Sequence, residues 1–185
     1  MPVLPIYTYG TDMLRKKARP VQRVTDEVVR LIMDMFETMH KANGIGLAAT
    51  QVGNLQRVVV VDLSDVEGTE DIKPMALINP EVMNREGEWT MEEGCLSIPD
   101  VRDEVKRPER VTVRFKDAQF QGVEVELAGL LARVVLHEID HLDGVLFLDY
   151  LSLSGRKAHK EQLKKIQRGE LEVTYPVITA EKVSV

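Results

Sequence analysis

The residue pattern points to an α+β fold. Five short β-like segments follow one another between Arg57 and Gly129 without a repeated rhythm of strand and long helix, which argues against a doubly wound parallel sheet. The last two, Arg110 to Asp117 and Gly122 to Gly129, alternate apolar and polar residues and are joined through "AQFQ", as antiparallel neighbours are. A helix expected from about Ala128 to Asp143 is apolar over much of its surface, which suits a central position.

The elements follow in chain order. In "TDEVVRLIMDMFETMHKANG" Thr25 is a candidate N-cap and acids occupy the first turn. Val28, Leu31, Ile32, Met35, Phe36 and Met39 keep the helical period, so the methionines are core filling, and Asn43 or Gly44 can end the helix. "RVVVVD" (57–62) reads as a mostly buried strand, followed by strand-like "MALINPEV" (75–82) and "GEWTMEE" (87–93). The acidic stretch from Leu63 to Pro74 reads as a surface loop. Gly144 suits the C-cap of the central helix, and a basic helix is expected from about Arg156 to Arg168, with Leu163 and Ile166 as its apolar edge. The pattern gives no placement for "LEVTYPVITAEKVSV".

The 185 residues fit one domain, 1–185, large enough to bury a core without help from a metal. There is no membrane-length apolar run and no signal-peptide pattern, so no membrane partner is expected. The single cysteine, Cys95, forbids an internal disulfide and makes the cytoplasm the default compartment. A formal charge of −6 argues against a general nucleic-acid binder, although residues 155–170 hold six Lys/Arg against two Glu.

"LHEIDHLDG" (136–144) places His137 and His141 four apart, on one helix face, with Glu138 beside the first. Either two core histidines share a face, or they converge on one ion with Glu138 as general base, as in the H-E-x-x-H pattern. Two imidazoles and two acids in an apolar helix are expensive without partners, which favours a metal. Leu130 and Val134 continue the stripe. Arg133 is expected to lay its stem on apolar surface with its head in water. Asp140 either bonds a histidine's outer nitrogen or faces solvent as a cap.

A catalytic metal wants three protein ligands and an open position. No long zincin signature follows His141. The better third candidate is upstream, Cys95 in "EEGCLSIPD", which is otherwise a small buried hydrophobe. In "ANGIGLAATQVG" (42–53) a helix precedes the glycines, so a dinucleotide loop fails. What remains is close approach of backbone to a ligand, with Gln51 aiming its amide at an oxygen, or a tight turn with Gln51 exposed.

Together "GIGLAATQ" (44–51), "EGCLS" (93–97) and "HEIDH" (137–141) resemble the peptide deformylase family, in its order and approximate spacing. The resemblance implies antiparallel sheets around a central helix bearing the histidines, plus a C-terminal helix. It implies removal of the N-formyl group from newly made polypeptides and a divalent ion, typically Fe(II), with zinc, nickel or cobalt as substitutes. Cys95, His137 and His141 are then the metal ligands and Glu138 the general base and acid. Gln51 and the Leu96 N–H are the oxyanion donors. The Gly46 backbone holds the formylated residue, and Arg102 lies near the substrate groove. The absence of a long insertion before "EGCLS" is similar to type I members. Leu136 stands where a glutamine often does, at a position that is not a ligand.

Ile45, Met91, Leu130 and Val134 are the candidate walls of a pocket for an N-formylmethionyl start. The chain is expected to be a monomer. The basic helix is either a solvated surface or, as the resemblance implies, a contact to the ribosome. Two other function classes remain open: an H-E-x-x-H endopeptidase cleaving internal bonds, and a noncatalytic metal-binding module.

Overall fold

The computed structural model describes residues 2–183, so the ends of the expected 1–185 domain, Met1, Ser184 and Val185, lie outside the described residues. A two-residue strand β1 (Ile6–Tyr7) opens the chain, and α1 (Asp26–Lys41) follows. Thr25 caps α1, its hydroxyl accepting from the Val28 N–H at 3.4 Å, with Asp26 and Glu27 in the first turn. Val28, Leu31, Ile32, Met35 and Met39 are buried along one face. The helix ends at Ala42, and Asn43 turns the chain with φ 54°.

Seven strands follow: β2 (Gly46–Ala48), β3 (Val58–Val61), β4 (Met75–Glu86), β5 (Trp89–Cys95), β6 (Ile98–Arg107), β7 (Arg110–Lys116) and β8 (Gly122–Ala128). Five form an antiparallel sheet in the order β2-β3-β4-β7-β8, and β5 and β6 form a separate antiparallel hairpin. Next come α2 (Gly129–Leu142), α3 (Leu153–Ala158) and α4 (Lys160–Arg168). The last elements are β9 (Val177–Ile178) and α5 (Ala180–Val183).

The four valines of β3 show how the layers form. Successive side chains of a strand point to opposite faces. Val58 and Val60 join α1 in one core with Ile32, Met35 and Ile78, while Val59 and Val61 join α2 in another with Ala132, Val135 and Leu142. A strand covered on both faces needs an unbroken apolar run, and "VVVV" supplies it. A third core holds Ile98, Val101 and Val105 of β6, Leu146 to Leu148, and Leu163 and Ile166 of α4.

Several expectations are corrected. Strand β6 was not anticipated, because charges interrupt its alternation and Asp100 has φ 60°. β4 runs on to Glu86, with irregular register against β7. The basic segment is two helices, broken at His159, whose Nε2 meets Asp103 Oδ2 at 2.8 Å and ties the break to β6. The unplaced C-terminal stretch crosses back, and β9 pairs parallel with β1, so the strand pairing is not wholly antiparallel.

Gly144 ends α2 with φ 74°, and a Cβ there would lie 2.6 Å from the Arg15 carbonyl oxygen. Gly144→Ala should therefore cost more than about 1 kcal/mol, from the left-handed backbone and the clash with main chain. The check is a lowered urea midpoint at unchanged m-value; an unchanged midpoint would refute this account.

Candidate metal centre

Helix α2 is buried from Ala132 to Ile139 and again at His141 and Leu142. One turn separates His137 from His141, whose Nε2 atoms stand 3.2 Å apart. Cys95 sits where β5 turns into β6, and its Sγ lies 3.2 Å from His141 Nε2. All three ligand atoms fall within 4.8 Å of one another.

The surroundings fit an ion at that point. His137 presents Nδ1 to Glu93 Oε2 at 3.0 Å, which leaves Nε2 toward Cys95 and His141. Burial, then the positive charges of His137 and Arg107, pushes His141 well below the ordinary imidazole range, while the bonds to Cys95 and Glu93 outweigh burial and draw His137 well above it, so without an ion the pair holds its positive charge on His137. Glu138 Oε2 is buried without a hydrogen-bond partner. A soft thiolate with two imidazoles is a donor set for Fe, Zn, Co or Ni rather than for Mg or Ca.

Glu93 organises this arrangement. Its Oε1 accepts from Arg107 Nε at 2.5 Å and Arg133 Nη1 at 2.6 Å; its Oε2 accepts from Arg107 Nη2 at 3.0 Å and faces His137. Burial alone would raise its carboxyl, but the hydrogen bonds from His137 and Arg107 outweigh burial and hold it at about 2. Burial is the main cause that pushes Glu138 up to about 7, against the opposing charges of His137 and Arg107.

Arg133 does not reach water. It is 3% exposed, donates to the carbonyls of Val105 at 2.9 Å and of Trp89, and stacks over the Trp89 ring. The carboxylate of Glu93 explains the difference: a buried guanidinium is tolerable where its fork meets a charge and carbonyls. Asp140 bonds no histidine; it takes Arg107 Nη1 at 2.7 Å and the Tyr150 hydroxyl at 2.9 Å. The histidine's outer partner is Glu93, which sequence reasoning did not single out. Its signal was its place two residues before Cys95, as an acid in a strand-like run.

Gln51 lies in the 3₁₀ turn after β2 and is 1% exposed, which excludes the exposed-turn alternative. Its Oε1 accepts from the Ala48 N–H at 2.8 Å, and its Nε2 donates to Ser97 Oγ at 3.2 Å and lies 3.7 Å from Cys95 Sγ. A Cβ on Gly46 would stand 2.6 Å from Glu138 Oε1 and 2.8 Å from Val134 Cγ1, so only glycine lets β2 come this close.

One cleft of about 630 Å³ brings the expected residues together. Ile45, Gly46, Met91, Arg102, Leu130 and Val134 line it with Gln51, Cys95, Leu96, His137 and Glu138. His141 is buried and is not part of the lining. Arg102 is exposed and 3.7 Å from Glu92. Glu172 to Tyr175 also line the cleft, which the sequence did not foretell because their partners are distant in the chain.

A Cys/His/His cluster with two buried histidines and a half-buried thiol, with a carboxyl on the same helix and a peptide-sized cleft beside it, defines a metal-dependent hydrolase. The model of the polypeptide deformylase family matches residues 3–157, and the chain belongs to that family. It is 48% identical to the peptide deformylase of Salinibacter ruber, covering 96% of this chain and 95% of that one. It is 44% identical to that of Chlorobium limicola, covering 98% of each. Among solved structures it superposes on a peptide deformylase from Legionella pneumophila with a TM-score of 0.83 at 38% identity, covering 91% and 98% of the two chains. For the class I type b enzyme of Acinetobacter baumannii, bound to Met-Ala-Ser, the TM-score is 0.77 at 36% identity, covering 81% and 99%.

Removing Glu93 leaves two buried guanidinium groups short of an acid, so Glu93→Ala should lose about 3–5 kcal/mol of stability. The acid form of the same argument has a definite sign. The depressed Glu93 carboxyl stabilises the fold above its ordinary value of 4.5, and that stability drains away as pH falls toward 2, to a total of about 3 kcal/mol. Unfolding free energies of the metal-free wild type should therefore fall more steeply than those of Glu93→Gln between pH 5 and pH 3 (a range of about 2 units around these values). Parallel slopes would remove the claim that Glu93 is held ionised.

Proposed function

We propose that this chain is a peptide deformylase of the bacterial type I kind, which hydrolyses the N-formyl group of newly made polypeptides and releases formate. The observation that carries the reading is the Cys95–His137–His141 cluster, which meets the cleft through Cys95 and His137 beside the Glu138 carboxyl and the Gln51 amide. When bound, a divalent ion there supplies Lewis acidity toward water and the formyl oxygen. Cys95, His137 and His141 hold it. Fe(II) is the ion we assign, with Zn, Ni or Co able to take its place.

The chain's own residues do the rest. Glu138 takes a proton from the attacking water and later gives one to the departing amine. Burial makes its carboxyl a stronger base than an exposed glutamate. Gln51 Nε2 and the Leu96 N–H donate to the formyl oxygen as negative charge grows on it, and one such donor is worth about 3 kcal/mol. The Gly46 backbone positions the formylated residue, and Ile45, Met91, Leu130 and Val134 wall the pocket for an apolar, methionine-like side chain. Arg102 stands at the mouth, near the following residues of the substrate.

Cleavage of internal bonds is less well supported, because the third ligand is an upstream thiolate rather than a downstream group. A purely structural metal would want a fourth protein ligand, and among the described residues the cluster has three.

The finer picture is a monomer of one domain, 1–185, working in the cytoplasm and contacting the ribosome through its basic C-terminal helices. No helix among the described residues is long and apolar enough to cross a membrane. In α4, Leu163 and Ile166 point into the core while Lys160 and Lys165 are exposed. Lys160, Lys164 and Lys165 changed together to Glu should weaken cosedimentation with ribosomes, most at low salt, and leave turnover of a free formyl tripeptide alone. Cosedimentation unchanged across salt would leave these lysines a solubility role only.

Alanine at Cys95, His137 or His141 should deplete metal after anaerobic purification. Glu138→Gln should keep the metal and lose roughly 10²–10⁴-fold in kcat on formyl-Met-Ala-Ser. Full activity in a metal-loaded Glu138→Gln protein would sink the assignment of the base.

A further inference from the structure

We infer that Tyr175 is a positioning residue for the Leu96 backbone, and that the strap carrying it, residues 170–176, is a wall of the substrate cleft. The inference rests on the deformylase reading and deepens it.

Leu96 and Ser97 form the turn between β5 and β6, directly after the ligand Cys95. The Cys95–Ile98 pair closes this two-residue turn, and groups packed against it add to what holds its peptide planes. Here three distant segments do so. The Tyr175 hydroxyl donates to the Leu96 carbonyl at 2.8 Å. The Tyr9 N–H donates to the Ser97 carbonyl at 2.8 Å, and Gln51 Nε2 donates to Ser97 Oγ. The Leu96 side chain leans over Gly44, where a Cβ would come within 2.6 Å of its Cδ1. Leu96 is thus fixed on its side chain and on its carbonyl; its N–H lies in the preceding peptide unit, joined at the same Cα, so holding both groups limits the rotation about that Cα through which the N–H could swing away from the formyl oxygen.

The strap is pinned at both ends. Gly169, at φ 75°, closes α4, with the Glu170 N–H returning to the Lys165 carbonyl at 3.0 Å. At the far end the Ile6 N–H donates to the Pro176 carbonyl at 2.9 Å, and β9 then pairs with β1. Between these anchors burial alternates: Leu171, Val173 and Tyr175 are half-buried, whereas Glu172 and Thr174 are exposed. Glu172, Val173, Thr174 and Tyr175 line the same cleft as Gly46 and Glu138. They lie beyond residues 3–157, so this wall is outside the part of the chain that matches the family model. The pocket assigned above to the formylated residue is walled by Ile45, Met91, Leu130 and Val134, so the strap is left to face the substrate residues that follow it.

Two substitutions separate the hydrogen bond from the wall. Tyr175→Phe keeps the ring and removes the donor. It should lower kcat on formyl-Met-Ala-Ser about 3- to 10-fold, the scale of one hydrogen bond, with KM and metal content near wild type and a modestly lowered urea midpoint that leaves the protein folded at assay temperature. Tyr175→Leu removes the ring as well, and should raise KM for formyl-Met-Ala-Ser more than for formyl-Met-Ala. A wild-type kcat in Tyr175→Phe, or a loss matched by lost metal, overturns the positioning role. Equal KM changes for the two peptides overturn the wall; if Tyr175→Leu does not fold, Thr174→Gly is read the same way. A wild-type protein inactive on both peptides would strike the activity assignment itself. An active wild type with an indifferent Tyr175→Phe strikes the positioning claim alone.

Discussion

A buried carboxylate surrounded by three nitrogenous partners sets the geometry of this protein. Glu93, on β5, is held by Arg107 of β6, Arg133 of α2 and His137 of α2. Stripped of any one partner, such an interior charge cluster is strongly destabilised; complete, it fixes relative positions that apolar packing alone leaves free to slide. The hairpin β5-β6 is not part of the five-stranded sheet, so nothing in the main ladder places Cys95 opposite α2. The charge network does. It also occupies the outer nitrogen of His137, and so settles which nitrogen of that ring faces the other two ligands.

The same network separates the two carboxyls of the site by environment. Glu93 has donors on both oxygens and is held ionised, at about 2. Glu138 is equally deep, yet one of its oxygens has no hydrogen-bond partner, and burial lifts it to about 7. Two acids of ordinary chemistry thereby take different work: one is a fixed negative charge that orients, the other is able to gain and release a proton. The negative charge of Glu93 is itself among the causes that raise Glu138, so the two environments are coupled.

Local periodicity made much of this legible. The faces of α1 and α2, the valines of β3, the alternating β7-β8 pair and the i,i+4 histidines are each written in a few neighbouring residues, and each stands where the spacing placed it. What was not legible depends on residues far apart in the chain. β6 carries Asp100, Arg102, Asp103, Glu104 and Lys106 among its apolar positions, and its pattern reads as loop until Val101 and Val105 are seen against the third core. Arg133 looked like a snorkelling side chain because its acid lies 40 residues upstream. β1 and β9 are two residues each and exist only through one another, across almost the whole chain. The Cys95 alternative, core hydrophobe or ligand, was decided by distance, which no spacing in sequence encodes.

The ligand set draws on two elements, and this bears on what metal binding must accomplish. Two ligands share one rigid helix; the third sits at a hairpin turn. If that turn were held only by the ion, ordering it would be charged against every binding event. It is held instead by bonds that involve no metal: Gln51 and Tyr9 on Ser97, Tyr175 on Leu96, and Glu93 on the strand leading in. These bonds bring the thiol near the two imidazole nitrogens and orient His137 without drawing on the ion. A chain with three apolar cores of its own also differs from small domains whose metal replaces a missing core. The turn that carries Cys95 is thus fixed by the same kinds of bond, buried and charge-assisted, that fix the rest of the fold.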